Sequence, residues 1–353
     1  MTPSEMDLTK LLQNPYSSDL ISERATFDKA AFLETPFGTQ VADWARSGPR
    51  ELPQTTYSLY RIYQRTGSRN EFQDAYFAKR EVLTRAAVAS WLLDDPTYHD
   101  ILNDALWSIC EETSWVLPAH ENWPWNIDLF VAETGADLAT ICYVLEDIIP
   151  DEIRVRVRSE LQRRIFTTYQ EHRGLYGYEK VFTNWTGVCF GSIGEAALLT
   201  DISADQRAEL LAAVVTNLNA YIDKAFTDDG ACTEGPGYWS YGLLHFVICA
   251  ELLREWTHGA IDLLSHDKLR LIAQYPAAMH LGNGAYASFS DASHSMTLCA
   301  VVANKLSQRT NTPALTQLAA PQLTHRFAAL LREILWFASP PQGDIRCPNT
   351  TFP

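Results

Sequence analysis

Helical periodicity is the feature of this sequence that most constrains its fold. Apolar residues recur every three to four positions over most of the chain, which is the spacing of an α-helix with one buried face. Residues 127–149 carry such a stripe, formed by Phe130, Leu138, Ile141, Cys142, Leu145 and Ile149. Alternating patterns rich in β-branched residues are almost absent, so we expect no sizeable sheet.

The same spacing predicts about twelve helices joined by short polar or Pro/Gly links. They cover approximately 55–66, 70–93, 97–112, 127–149, 151–170, 185–199, 203–226, 236–257, 266–280, 293–306 and 314–337. Ser203 and Gln206 form an S-x-x-Q capping box at the start of one of them. The prediction is an all-α fold of antiparallel helix pairs, which an open bundle, a solenoid or a closed α/α toroid would satisfy.

Charge and targeting signals narrow the functional classes. Lys and Arg total 28 against 43 Asp and Glu in 353 residues, a net charge of −15. A chain this acidic is a poor candidate for binding nucleic acid or an anionic membrane, and an anionic ligand would need local positive charge in a groove. The sequence has no apolar run of membrane-spanning length, no secretory signal pattern and no CxxC pair, so a cytoplasmic location is expected.

The last residues differ in character from the rest. Residues 338–353 are Pro-rich and lack a helical stripe. We therefore expect a helical domain over residues 1–337, followed over 338–353 by a frayed terminus, or by a linker to a domain that is absent from this chain.

Three segments have compositions that a simple core does not require. Residues 115–126 place three tryptophans and two prolines around His120, which predicts a structured loop. Residues 182–187 open a helix with an N-cap at Thr183 or Asn184. Residues 228–242 combine Asp-Gly and Gly-Pro-Gly turns with Tyr238 in a first helical turn, where the helix dipole favours a phenolate. Core packing explains each segment as readily as a site does.

The segment 151–180 is locally basic. It carries seven basic residues, Arg154, Arg156, Arg158, Arg163, Arg164, Arg173 and Lys180, against five acidic ones, Asp151, Glu152, Glu160, Glu171 and Glu179. Most of these charges are expected to solvate a helix face, and one or two to hold a carboxylate. Metal-protease, Walker and dinucleotide motifs are absent from the sequence.

Five motifs in order give the chain a family resemblance. They are W-x-L-P-A-H-E-N-W from residue 115, D-L-F-x-A-E-T-G from 128, N-W-x-x-V-C-x-G-S-I-G from 184, D-D-G-A-C-x-E-G-P-G-Y-W-x-Y-G from 228, and F-S-D-A-S from 289. From about residue 50 onwards the chain resembles the helical domain of heparinase II/III-like proteins, which are relatives of polysaccharide lyases. The resemblance implies an incomplete α/α toroid, and a C-terminal β-sandwich domain outside this chain.

The chemistry that this resemblance implies is β-elimination at a uronic acid in an anionic oligosaccharide or polysaccharide, without a metal or organic cofactor. Asn184, assisted by His120, would neutralise the uronate carboxylate. Tyr238 is the first candidate for the general base or acid, and Tyr241 is the second.

The remaining expected site residues bind or orient the substrate. Glu234 would orient a catalytic group or the turn itself, and Glu133 and Asp291 would lie along the groove. Three tryptophans are candidates for stacking on sugar rings: Trp123, Trp185 and Trp239.

Two alternatives stay open. A glycoside hydrolase would use two carboxylates from among Glu133, Asp229 and Glu234. A toroid without catalytic activity would bind glycans through its tryptophans and turn nothing over.

Overall fold

The chain is mostly helical, with 67% helix and 4% strand, which confirms the prediction of an all-α protein. The computed structural model describes residues 8–10, 12–14, 17–121, 126–290 and 293–336. The predicted terminal segment 338–353 lies outside the described residues. No helix in the described ranges has the length and apolar character needed to cross a membrane.

Fifteen α-helices lie within the described residues. In chain order they are α1 (Lys29–Leu33), α2 (Pro36–Ser47), α3 (Tyr57–Tyr60), α4 (Ile62–Thr66), α5 (Asn70–Leu92), α6 (His99–Cys110), α7 (Leu129–Val144), α8 (Asp151–Leu161), α9 (Thr167–His172), α10 (Asn184–Leu199), α11 (Ala204–Lys224), α12 (Pro236–Trp256), α13 (Leu269–Met279), α14 (Ala300–Thr310) and α15 (Phe327–Leu335). A π-helical turn, Gln162–Phe166, joins α8 to α9.

Strands form only two small pairs in the described part of the chain. β1 (His280–Gly282) pairs antiparallel with β2 (Ala285–Tyr286), and β3 (Leu298–Cys299) pairs parallel with β4 (Ala319–Ala320). The helix predicted over 293–306 therefore begins only at residue 300, because the residues before it are extended and partly paired. Helices α1 and α2 were not predicted at all.

Helix α10 lies at the centre of the molecule. It packs most extensively against α12 and also against α7 and α11, and every residue in it except Trp185 is buried. Glycine allows the close approach of α10 and α12: a Cβ on Gly191 would lie 2.5 Å from the backbone carbonyl of His245. Nearer the beginnings of the two helices, a Cβ on Gly187 would lie 2.7 Å from the Gly242 backbone oxygen, and one on Gly242 would lie 3.1 Å from Asn184 Cα. Those beginnings carry Asn184 and Tyr238.

Helix α7 is buried on nearly every side instead of along one stripe. Only Phe130 and Cys142 on it escape full burial, although the periodicity placed both on the buried face. The helix packs against α10, α8 and α15, so several faces are covered at once. A helix surrounded in this way has no single polar face for a hydrophobic pattern to reveal.

Candidate functional site

The three sequence segments singled out above converge in the structure. The Asn184 side chain of the second segment donates from Nδ2 to Glu234 Oε1 of the third, at 2.6 Å. The Asn184 backbone N–H donates to the other Glu234 oxygen, Oε2, at 2.8 Å. The first segment joins through its histidine, whose ring lies 5.0 Å from the ring of Trp185. His120, Trp185, Asn184 and Glu234 therefore form one centre.

The side-chain amide of Asn184 does not cap helix α10. Thr183 is the N-cap of α10, and its hydroxyl accepts from the Trp185 backbone N–H. The Asn184 side chain is free of that role, and Glu234 fixes it instead. Its Oδ1 is buried and has no hydrogen-bond partner in the described structure. An unpaired buried acceptor is costly to stability, so this oxygen marks a place where a ligand group would complete the hydrogen bonding.

His120 is oriented by a buried carboxylate. Its Nδ1 lies 3.0 Å from Asp128 Oδ2, and Asp128 is itself fully buried at the N-cap of α7, where it accepts from the backbone N–H groups of Phe130 and Val131. The imidazole lies between the rings of Phe130 and Trp185. A carboxylate at one ring nitrogen sets the tautomer and leaves Nε2 for a ligand.

The two candidate tyrosines lie in different environments on α12. Tyr238 is half-buried in the first turn, one turn beyond Glu234, and no described residue hydrogen-bonds its hydroxyl. The Tyr241 hydroxyl is buried and faces the Glu133 carboxylate without a well-oriented hydrogen bond. Burial, with the charge of Glu133, raises the pKa of Tyr241 well above its usual value of 10. Tyr241 therefore stays protonated at neutral pH.

A charged network lies beneath Tyr241. Glu133 Oε1 is 2.7 Å from Arg326 Nε and 3.1 Å from His245 Nε2. Burial alone would raise the pKa of Glu133, but these partners lower it to about 2. The Ser192 hydroxyl lies 3.0 Å from His245 Nδ1, which completes a serine–histidine–carboxylate line. Because all three residues are buried, this serine has no access to a substrate, and the line is structural.

The structure places most of the predicted ligand-binding side chains. Trp239 is fully buried, and its indole N–H donates to the backbone oxygen of Ile272, so its prediction as a sugar-stacking residue is wrong. Glu133 is 5% exposed and held by internal partners, so it lies beneath the site and not along an open groove as predicted. Trp123 lies outside the described residues, as does Asp291. Trp185 is half-buried at the site, and its role in sugar stacking stays a prediction.

Sequence reasoning missed two contributors to this centre. Asp128, which orients His120, opens one of the quoted motifs, and its position immediately before a helical pattern is an N-cap signal. Arg326, whose guanidinium carbon lies 5.0 Å from the centre of the Tyr241 ring, comes from the loop before α15. No local pattern marks Arg326, because its partners lie on distant helices.

The carboxylates considered for a hydrolase do not pair with one another. Glu133 is ion-paired in the interior, and Glu234 is bound to Asn184. Asp229 is exposed and accepts from the backbone N–H of Ala231 in its own turn. Within the described ranges, no group of three or more His, Cys, Asp or Glu side chains is arranged to hold a metal ion.

A cavity of about 310 Å³ lies beside this centre. Its walls include Trp185, Tyr178, Val181, Leu175 and Asn126. Val181 and Leu175 are among the most exposed large apolar side chains of the described chain. An apolar surface of this kind next to polar groups is typical of a ligand-binding cleft.

The pH dependence of stability gives a test of this buried network. Burial raises the pKa of Asp137, one turn beyond Glu133 on α7, to about 8. The carboxyl of an unfolded Asp ionises near pH 4. Between pH 4 and 8, Asp137 is therefore ionised in the unfolded chain and protonated in the folded chain. The free energy of unfolding contributed by this group therefore falls as the pH rises.

Asp137→Asn should remove the part of the fall in unfolding free energy that Asp137 causes between pH 4 and 8. The amide keeps an oxygen that can accept from the Ala328 backbone N–H, as Asp137 Oδ1 does at 2.8 Å. Denaturant unfolding at pH 5 and pH 8 should show the variant gaining stability over the wild type as the pH rises. The exposed Asp147→Asn provides the control, and an equal difference at both pH values would contradict the assignment.

No family model matches the chain, and no curated protein matches it significantly.

Proposed function

We propose that this protein is a lyase that cleaves uronic-acid-containing oligosaccharides or polysaccharides by β-elimination, and that its helices form an incomplete α/α toroid around the substrate cleft. The observation that carries the proposal is the Asn184 amide. Glu234 fixes it, it is free of the helix cap, and its Nδ2 makes one hydrogen bond in the described structure, which leaves a second N–H to donate to a ligand. The family resemblance of the five motifs supports the same activity.

The first requirement of the reaction is neutralisation of the uronate carboxylate. The C5 proton of a uronate is weakly acidic until the neighbouring carboxylate charge is offset. Asn184 Nδ2 has a second N–H beyond the one given to Glu234, and that N–H would donate to the carboxylate. His120, held at Nδ1 by Asp128, would donate to the same group from Nε2 in its doubly protonated form. Fixed donors of this kind stabilise the enolate-like charge that develops in the transition state.

The second requirement is proton transfer at C5 and at the leaving oxygen. Tyr238, as the phenolate, would remove the C5 proton. The electron pair of that C–H bond forms the C4=C5 double bond, and the C4–O bond breaks. The departing glycosidic oxygen takes up a proton, which the newly formed Tyr238 phenol can supply. The position of Tyr238 in the first turn of α12 favours this role, since the helix dipole there stabilises negative charge.

Ultraviolet absorbance tests the proposal directly, because the C4=C5 double bond conjugated to the carboxylate absorbs and the substrate does not. We expect absorbance to rise when the chain is incubated with one or more members of a panel of alginate, heparinoid and other uronate glycans. New reducing ends without absorbance would instead indicate hydrolysis. If oligosaccharide binds and neither signal appears, the protein is a glycan-binding toroid.

A further inference from the structure

A second cleft lies outside the centre described above. It has a volume of about 900 Å³ and is bordered by the α3–α4 segment, the loop after α6 and the π-helical turn. We call it the arginine–tyrosine cleft and define it by Tyr57, Tyr60, Arg61, Trp115, Arg163 and Arg164, all of which line it. Asn126 borders both this cleft and the cavity beside Trp185. The two clefts are therefore neighbours along one surface.

Positive charge exceeds negative charge around this cleft. Its lining includes two carboxylates, and both are matched: Glu121 by Arg61 at 2.7 Å, and Glu112 by Lys79 at 3.0 Å and Arg80 at 2.9 Å. The lining arginines Arg163 and Arg164 share the single carboxylate of Glu160 with Arg156. The lining residues and their ion-pair partners thus comprise five cations and three carboxylates: Arg61, Lys79, Arg80, Arg163 and Arg164 against Glu112, Glu121 and Glu160.

The local excess of charge has a sign opposite to that of the chain, whose net charge is −15. Carboxylates that are already matched by internal cations do not cancel the surplus arginines. Field lines concentrate in a concave cleft with protein walls, so a surplus of this kind attracts anions there while the rest of the surface repels them.

Only some of these groups are open to a ligand. Arg164 is structural: its side chain is 10% exposed, its guanidinium carbon lies 4.6 Å from the centre of the Trp115 ring, and it donates to the Glu112 and Thr113 carbonyls. Arg163 is 62% exposed and bonds Glu160 through one nitrogen. Its remaining N–H groups are available to solvent or to an anion.

Aromatic surface lies in the same cleft. Tyr57 is 72% exposed. The Arg61 guanidinium carbon lies 5.5 Å from the centre of the Tyr57 ring and 5.3 Å from that of Tyr60, which restrains all three side chains. An exposed, restrained ring beside arginines suits a ligand with an apolar sugar face and an anionic group.

We propose that the arginine–tyrosine cleft is a distal subsite that binds a uronate residue of the substrate chain away from the cleaved bond. Arg163 would donate to the sugar carboxylate, and Tyr57 would stack on the sugar ring. This inference rests on the proposed function, since it assigns the substrate to the same continuous surface. It predicts that long uronate chains bind more tightly than short ones, and that the difference depends on Arg163.

The test compares chain lengths on a protein that does not consume its ligand. Oligomannuronate and oligoguluronate, each as dimer and hexamer, are titrated by calorimetry into the Tyr238→Phe protein and into its Arg163→Gln derivative. We expect the derivative to bind the hexamer about 5- to 20-fold more weakly, the low part of the range for a charged hydrogen bond because the arginine is exposed. Dimer binding should change less than twofold.

Arg158→Gln, on helix α8 just before the π-helical turn that carries Arg163, is the matched control. Arg158 is 44% exposed and pairs with Asp201 outside the cleft. Its substitution by Gln therefore removes one positive charge, as Arg163→Gln does, but from outside the cleft. Equal effects of the two substitutions would overturn the proposal, as would equal weakening of dimer and hexamer. In the catalytically intact protein, Arg163→Gln should raise KM for long chains and leave kcat unchanged.

These outcomes separate the subsite from the catalytic proposal. Turnover that persists with unchanged KM in Arg163→Gln overturns the subsite alone. Absence of both turnover and binding with every uronate overturns the proposed function and the subsite together.

Discussion

Tyr238→Phe is expected to lose elimination activity by about 10²–10⁴-fold, the range for removing a general acid–base group. The substitution deletes one hydroxyl from a half-buried ring, and that hydroxyl makes no hydrogen bond to a described residue. The ring continues to pack, so the melting temperature should stay close to that of the wild type. Initial rates from ultraviolet absorbance, measured with thermal unfolding of the same preparations, check both parts.

Tyr241→Phe is the informative comparison for this prediction. Its hydroxyl is buried, faces Glu133 and stays protonated because its pKa is raised. We therefore expect its loss of rate to be much smaller than that of Tyr238→Phe. Wild-type turnover in Tyr238→Phe with a large loss in Tyr241→Phe would reverse the two assignments, and a substrate would then have to displace the Glu133 contact.

Asn184→Ala should reduce kcat by about 10²–10³-fold, as removal of an oxyanion-hole donor does. The amide would stabilise charge that is larger in the transition state than in the bound substrate, so the loss should fall on kcat more than on KM. The variant also leaves Glu234 with one acceptor oxygen unpaired. Some loss of stability is therefore expected and needs a control of its own.

Ser203→Ala provides that control. Ser203 caps α11 by accepting from the Gln206 backbone N–H, and loss of such a cap costs about 1 kcal/mol. Because Ser203 has no place in the candidate site, we expect its substitution to lower the melting temperature while the rate is kept. If Asn184→Ala lowers the melting temperature alone, Asn184 is a structural residue and the neutralising role is wrong.

Local signals in the sequence predicted where several of the helices begin and end. Pro236 stands at the first position of α12, and Ser203 caps α11, as the turn and capping patterns indicated. The long helices α5, α10, α11 and α12 lie within one to two residues of their predicted bounds. Each of these features depends on neighbours a few positions away, which is the range over which helix propensity and capping act.

Contacts between distant segments were beyond that range. The sequence indicated that Asn184, Glu234 and His120 belong to special segments, but only the packing of α10 against α12 brings Asn184 to a glutamate 50 residues away. Likewise, Trp185 and Trp239 have similar local surroundings in the sequence. In the structure, Trp185 is half-buried beside His120, whereas Trp239 is fully buried.

The sequence by itself determined the helical class of this protein, the bounds of most long helices and the residue types available for chemistry. The tertiary structure alone decided that α7 is buried on nearly all sides, that Glu133 is ion-paired beneath Tyr241, and that Arg326 completes that network. Periodicity reports the local preference of the backbone, whereas burial and ion pairing depend on which helices meet in space. Those meetings are governed by the packing of the whole chain.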